Sequence, residues 1–183
     1  MSDFSLTERK ISSTTVFEGN LLKVSVDTVF LPNGRKTGRE IVRHPGAAAV
    51  LPVLDSGSMV FVKQYRYPMS MAMFEIPAGK LNAGEEPKDC AFRELSEETG
   101  YEASKLVKLG IIATTPGFTD EVIHLFAASG LTLHEPHNDE DEFIEVCVFS
   151  PEEVRQKLSN GEIFDAKTIS ALCFYFLLQG ERM

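Results

Sequence analysis

"GKLNAGEEPKDCAFRELSEETGY", residues 79–101, holds six acidic side chains: Glu85, Glu86, Asp89, Glu94, Glu97 and Glu98. Pro87 suits the first position of a helix and Gly100 the position just past its end, so the stretch predicts a helix over residues 87–99. On that helix Glu98 lies four residues after Glu94 and Glu97 three after it, which brings three carboxylates to one side within about a turn. Ala91 and Leu95, on another flank, offer an anchor to a sheet. Arg93 stands four before Glu97, where an ion pair orients that carboxylate. Glu86 and Asp89 favour the helix N-terminus through the dipole. Like charges one turn apart cost only about 0.2–0.5 kcal/mol per pair, so a solvated face tolerates them and repulsion alone assigns no function. A hard divalent cation changes the sign of that cost, because Mg²⁺ takes carboxylate and carbonyl oxygen and bridges it to substrate phosphates.

Outward from this helix, residues 21–31 alternate, with Leu22, Val24, Val26, Thr28 and Phe30 on one face. They run into "PNGRK", whose Asn33-Gly34 pair favours a tight hairpin turn, and "GREIVRH" is the returning strand. "AAAVLPVL" and "SMVFVKQYR" read as another hairpin around "DSG", the first apolar enough for a buried sheet centre. After the helix come strands in "LVKLGIIAT", "VIHLFAASG" and "FIEVCVFS". Ser150-Pro151-Glu152-Glu153 is a capping-box start for a helix ending near Ser159, and a last helix is expected over residues 166–179, between Asp165 as N-cap and Gly180 as stop. The expected fold is α/β: one mixed sheet between helices over residues 46–183, preceded by a small antiparallel region over residues 1–45.

The 183 residues, 43% hydrophobic and 25% charged, suffice for a compact domain with a real core. A net charge of -9, without a long Lys/Arg run, argues against a protein that coats nucleic acid. Three separated cysteines with no CxxC spacing read as buried small hydrophobes in a reducing cytoplasm. The N-terminus lacks the pattern of a signal peptide. The longest strongly apolar run, residues 171–178, falls short of the roughly 20 residues of a membrane helix, so a cytoplasmic protein without membrane contact is expected. His44, His124, His134 and His137 show no metal-ligand spacing.

The complete spacing decides between the solvated face and the metal site. Gly79, five residues, Glu85, seven residues, then Arg93-Glu94-Leu95-Ser96-Glu97-Glu98-Thr99-Gly100-Tyr101 matches every fixed position of the Nudix box. Seven fixed residues, each at about 7% usage, coincide at a given start with a probability on the order of 10⁻⁸. The chain therefore resembles the Nudix hydrolases. That resemblance implies an α/β/α sandwich with a loop-helix-loop metal site, and Mg²⁺-dependent hydrolysis of a nucleoside diphosphate linked to another moiety, with Mn²⁺ as a substitute. It makes Glu94 and Glu98 the principal Mg²⁺ ligands, Glu97 the carboxylate that binds or orients a further ion, and the Ala78 carbonyl an oxygen ligand. Arg93 orients the glutamates and Glu85 braces the loop.

Four features outside the box resemble the branch that hydrolyses ADP-ribose and nucleoside diphosphate sugars. In "VKQYRYP" and "FEIPAGK", the branch has Arg66 on the substrate phosphates and Glu75 near the metal; pairing of Arg66 with a surface carboxylate is the alternative. Pro116, sixteen residues after Gly100 in "TTPGFTDE", is similar to the branch's marker proline. There Phe118 and Glu121 edge the substrate pocket, against simple packing of a turn aromatic. "GREIVRHPG" is similar to a segment in which Arg39 reaches phosphate, often in the partner subunit of a homodimer with exchanged N-terminal regions; a charged, soluble edge strand is the alternative. In "NDEDEFIEV", residues 138–146, Glu142 stands best for the general base on the attacking water and Glu140 second, against an acidic loop that only faces solvent. Other readings are a Nudix enzyme for a dinucleoside polyphosphate, coenzyme A or an oxidised nucleotide, and a non-hydrolysing ADP-ribose sensor.

Overall fold

The computed structural model describes residues 6–134 and 143–180. The chain divides into two compact units, Met1–His44 with Thr115–Glu121, and Pro45–Thr114 with Val122–Met183.

The first unit is an antiparallel sheet of β1 (Arg9–Glu18), β2 (Lys23–Phe30) and β3 (Lys36–Arg43), in that order. β1 was not expected: its β-branched and hydroxyl side chains lack apolar alternation, and all ten residues are exposed. The β2–β3 loop closes from Leu31 to Arg35, with the Gly34 N–H on the Leu31 carbonyl, so the turn is longer than the Asn33-Gly34 pair alone. The alternation in β2 is real, but its covered face is the other one. Ser25, Asp27 and Val29 are buried, while Val24, Val26, Thr28 and Phe30 are half-exposed. Burial of the polar face is made tolerable by pairing, since Asp27 accepts the Ser13 hydroxyl and faces Arg43.

In the second unit β4 (Ala47–Pro52) is buried along its whole length and lies parallel to β9 (Val122–Leu133). With β7 (Ala78–Lys80) and β8 (Tyr101–Ala113) they form a mixed sheet ordered β7-β4-β9-β8. A separate antiparallel sheet, β10-β5-β6, contains β5 (Met59–Arg66), β6 (Met71–Glu75) and β10 (Ile144–Phe149). Two sheets thus stand where one was expected. The hairpin around "DSG" persists only at its base, through Leu54–Ser58 and the Val53–Met59 bridge. Beyond it the strands part, because β4, apolar on both faces, is enclosed by β7 and β9. Met71 and Met73 lie on β6, Met73 buried, and Met69 is in a short 3₁₀ turn.

Helices cover both faces of the mixed sheet. α1 (Pro87–Thr99) packs Cys90, Ala91 and Leu95 on Ala48, Val50, Phe126 and Ala128. The alternate residues Ala47, Ala49, Leu51 and Leu125 face Met59 and Phe61, together with Val154 of α2 (Pro151–Ser159) and Leu172 and Phe176 of α3 (Ala166–Gln179). The three helices end where their caps predicted. Cys90 is buried and Cys147 and Cys173 only partly so; all three are free thiols. Among the described residues no helix is long and apolar enough to cross a membrane.

Candidate active site

The core of the site is the meeting of α1 with the three-residue strand β7. Glu94 and Glu98, one turn apart, both turn towards it. The Glu94 carboxylate lies where a side chain on Gly79 would be: a Cβ built there would come within 1.8 Å of its Oε1. Glu98 is buried, and its Oε2 accepts the Ala78 N–H at 3.2 Å. Glu97, at the more exposed edge, completes the row.

Arg93 holds the row together. Its Nη1 donates to Glu94 Oε1 at 2.6 Å and to Glu97 Oε2 at 2.9 Å, and its Nη2 reaches the Lys80 carbonyl at 3.2 Å. Its Nε donates to Glu85 Oε1 at 2.9 Å. Glu85 also accepts the Asn82 N–H at 2.8 Å, and these bonds, those from Arg93 foremost, pull its carboxyl down to about 2. Burial, followed by the negative charge of Glu94, pushes the Cys90 thiol up to about 11, so it stays protonated and packs in the core.

The donor set is all oxygen, which suits a hard divalent cation. Among the described residues no three acidic, histidine or cysteine side chains already form a cage. Arg93 occupies Glu94 and Glu97 in this arrangement, and Glu94, Glu98 and Ala78 belong to one helix and the strand beside it.

A second cluster abuts a cleft of about 440 Å³ lined by Arg66, Met69, Met73, Glu75, Phe164 and Lys167 among others. Arg66 grips Glu75 with two parallel bonds, Nε to Oε1 at 2.7 Å and Nη2 to Oε2 at 2.8 Å. Of the two readings for Arg66 the carboxylate pairing is therefore present, but the partner is buried rather than on the surface. Lys167, which the sequence did not single out, reaches Glu75 Oε2 from α3 and also Asp165 at 3.1 Å. Asp165 caps α3 through the Thr168 N–H at 2.9 Å, and Thr168 Oγ1 accepts the Ile76 N–H at 3.0 Å. Burial raises the Glu75 carboxyl, yet Arg66 and Lys167 outweigh it and hold the group below the usual carboxylate range. Glu98 is close enough to add to the field that holds Arg66 charged. The Asp165 cap is a local signal, but Lys167 and Glu75 are 92 residues apart and nothing local pairs them.

Three expected substrate residues lie in the first unit. Arg39, on β3, is paired with Glu8, its Nε donating to Oε2 at 3.0 Å. Phe118 is half-exposed, with its carbonyl accepting the Val42 N–H at 2.8 Å. The Glu121 carboxylate stands 3.5 Å from His44 Nε2. Glu140 and Glu142 fall outside the described residues; Glu145, beyond them on β10, faces Lys63 at 3.4 Å.

The NUDIX domain model matches residues 43–172. The chain is 47% identical over 170 residues to the ADP-ribose pyrophosphatase of Bacillus subtilis (strain 168), spanning 92% of each protein. It is 46% identical over 167 residues to the Methanol dehydrogenase activator of Bacillus methanolicus, spanning 90% of each. The fold superposes on a solved structure described as an ADP compounds hydrolase with a TM-score of 0.84, covering 97% of this chain and 99% of that one at 22% identity. Box spacing, the carboxylates gathered at β7, the extent of the domain match and near-full-length relatives agree: the chain belongs to the NUDIX family.

Proposed function

We propose that the protein is a Mg²⁺-dependent pyrophosphatase that hydrolyses ADP-ribose to AMP and ribose 5-phosphate, or a nucleoside diphosphate sugar to a nucleoside monophosphate and a sugar phosphate. The observation that carries this reading is the convergence of Glu94 and Glu98 on β7, braced by Arg93 and Glu85. A bound divalent ion, held by Glu94, Glu98 and the Ala78 carbonyl with Glu97 beside them, supplies neutralisation and polarisation of the diphosphate. Water attacks one phosphorus, and Glu142, or Glu140 in its place, takes its proton. Arg39 and Arg66 hold phosphate oxygens, Glu75 sets Arg66 in place, and Phe118 and Glu121 contact the remainder of the substrate. The enzyme works as a homodimer with exchanged N-terminal regions, residues 1–45 forming the exchanged part and 46–183 the catalytic domain. The fully exposed β1 supports that reading. Three free thiols fit a cytoplasmic setting.

The test is turnover of ADP-ribose, several nucleoside diphosphate sugars, NADH and a dinucleoside polyphosphate, with Mg²⁺ and without. Fast, metal-dependent release of AMP from ADP-ribose is expected. Glu98→Gln should keep the fold and lose about a hundredfold or more in turnover; near wild-type activity at saturating Mg²⁺ would sink the ligand assignment. Glu142→Gln and Glu140→Gln, compared side by side, locate the base, and if neither slows the reaction it is not on this loop. The relative named as a dehydrogenase activator supports a second reading, in which the protein stimulates another enzyme. Adding it to an alcohol dehydrogenase assay, as wild type and as Glu98→Gln, tests whether stimulation needs hydrolysis.

A further inference from the structure

We infer that Thr168 is a positioning residue of the metal site, setting the place of Ala78 through the backbone of Ile76. This rests on the hydrolase reading above, which makes the Ala78 carbonyl a ligand of the ion. All the groups involved belong to the second unit. Glu75 ends β6 and Ala78 begins β7, so Ile76 and Pro77 carry the chain from one sheet to the other. A backbone that leaves one sheet for another loses its ladder partner, and a buried N–H there needs an acceptor from elsewhere.

For Ile76 the acceptor is a side chain 92 residues away: its N–H donates to Thr168 Oγ1 at 3.0 Å. Ile76 is 1% exposed and Thr168 0%, so solvent does not stand in for that bond. The hydroxyl is itself fixed. It gives its proton to Asp165 Oδ2 at 2.6 Å, which leaves its lone pairs for Ile76. The same carboxylate oxygen accepts the Thr168 N–H at 2.9 Å and Lys167 Nζ at 3.1 Å, so the first turn of α3 forms one connected unit. Lys167 holds Glu75, the residue before Ile76. Beyond Ile76, the Pro77 carbonyl accepts the Val50 N–H of β4 at 2.9 Å, whereas the Ala78 N–H turns to Glu98 Oε2 at 3.2 Å. Within a strand the N–H and C=O of one residue leave on the same side, so the Ala78 carbonyl leaves on the Glu98 side as well. Removing the Thr168 hydroxyl strands a buried N–H, and the crossing shifts to satisfy it. That shift carries Ala78, two residues on, together with the bond that holds Glu98. Thr168 is none of the ion's proposed ligands, so its effect belongs in metal affinity.

The experiment compares full-length wild type, Thr168→Val, Thr168→Ser and Leu172→Ala. It measures Mg²⁺ binding by calorimetry without substrate, the Mg²⁺ dependence of ADP-ribose turnover, and amide hydrogen exchange at Ile76 and Ala78. Thr168→Val keeps the shape and removes the hydroxyl, Thr168→Ser keeps the hydroxyl, and Leu172→Ala weakens the core packing of the same helix without touching the tie. In Thr168→Val the Kd for Mg²⁺ should rise about tenfold, the scale of losing a support behind metal ligands. The midpoint of Mg²⁺ activation should rise with it, and exchange at Ile76 should quicken. Thr168→Ser and Leu172→Ala should bind Mg²⁺ nearly as the wild type does. An unmoved Mg²⁺ affinity in Thr168→Val overturns the inference, and so does an equal loss in Leu172→Ala, which would trace the effect to general destabilisation. Should Thr168→Val not fold, Thr168→Ala removes the same hydroxyl and is judged by the same outcomes. Failure of the hydrolase reading is distinguishable, because it appears in the wild type as no turnover of any nucleoside diphosphate, whereas calorimetry on the variants decides the role of Thr168. A wild type that binds no Mg²⁺ sinks both.

Discussion

Gly79 shows how one residue carries the chemistry of its neighbour. Lacking a side chain, it leaves room for the Glu94 carboxylate against β7, where a Cβ would stand only 1.8 Å from Oε1. The clash is with the far end of a flexible side chain, so Gly79→Ala should move the carboxylate and spare the fold. Thermal unfolding should change by less than about 1 kcal/mol, while Mg²⁺ binding by calorimetry weakens and turnover falls. Full activity in Gly79→Ala would show that Glu94 need not lie there. Gly79, Glu85, Arg93 and the three glutamates were legible in the sequence because all lie within one loop and one helix, where spacing translates directly into geometry. Lys167 was not, since its tie to Glu75 exists only once α3 has docked beside β6.

Among the elements, the helices matched expectation because their ends are written in local chemistry. Pro87 and Gly100 bound α1, Ser150 and Glu153 form a reciprocal capping box on α2, and Asp165 and Gly180 bound α3. Strands were less legible. β1 has no apolar face to reveal it, and β4 and β5 read as one hairpin although they serve different sheets. The tie between β6 and α3 carries its own prediction. Glu75 is buried and held ionised by Arg66 and Lys167, its carboxyl below the usual range despite burial. Its contribution to stability is therefore complete above the unfolded carboxylate value of about 4.3 and is lost as pH falls through the lower folded value. Lys167→Met removes one of the two cations, so the folded value rises. The variant should lose about 1–3 kcal/mol at neutral pH, and its stability should fall less steeply than the wild type's below about pH 4.3, so that the two converge once Glu75 is protonated in both. Melting curves across the acid range check both, and identical acid limbs would show that Lys167 does not hold Glu75.

At the scale of the whole molecule, the N-terminal unit shows more than a monomeric sheet normally leaves to solvent. β1 is exposed throughout, with Val16 58% and Phe17 56% exposed, and Leu21 and Leu22 follow uncovered. Exposed apolar surface of this kind marks interaction sites. If the proposed dimer forms there, sedimentation equilibrium should give twice the chain mass of 20.3 kDa. Phe17→Glu should shift the mass towards the monomer without unfolding the second unit. A wild-type protein that sediments as a monomer at micromolar concentration would refute the dimer.

By itself the sequence determined the family, the acidic helix with its arginine brace, the ends of all three helices and the α/β class, because each is set by residues close together in the chain. Tertiary structure alone decided that Glu75 sits between Arg66 and Lys167, that Asp27, Arg43 and Asp120 form a row across the first sheet, and that Thr115–Glu121 joins that sheet. Lys167 lies 92 positions from Glu75 and Asp120 lies 77 from Arg43, and even the shorter ties, Arg66 to Glu75 and Asp27 to Arg43, cross from one strand to another, so the partners are chosen by which strands and helices pack together within each unit.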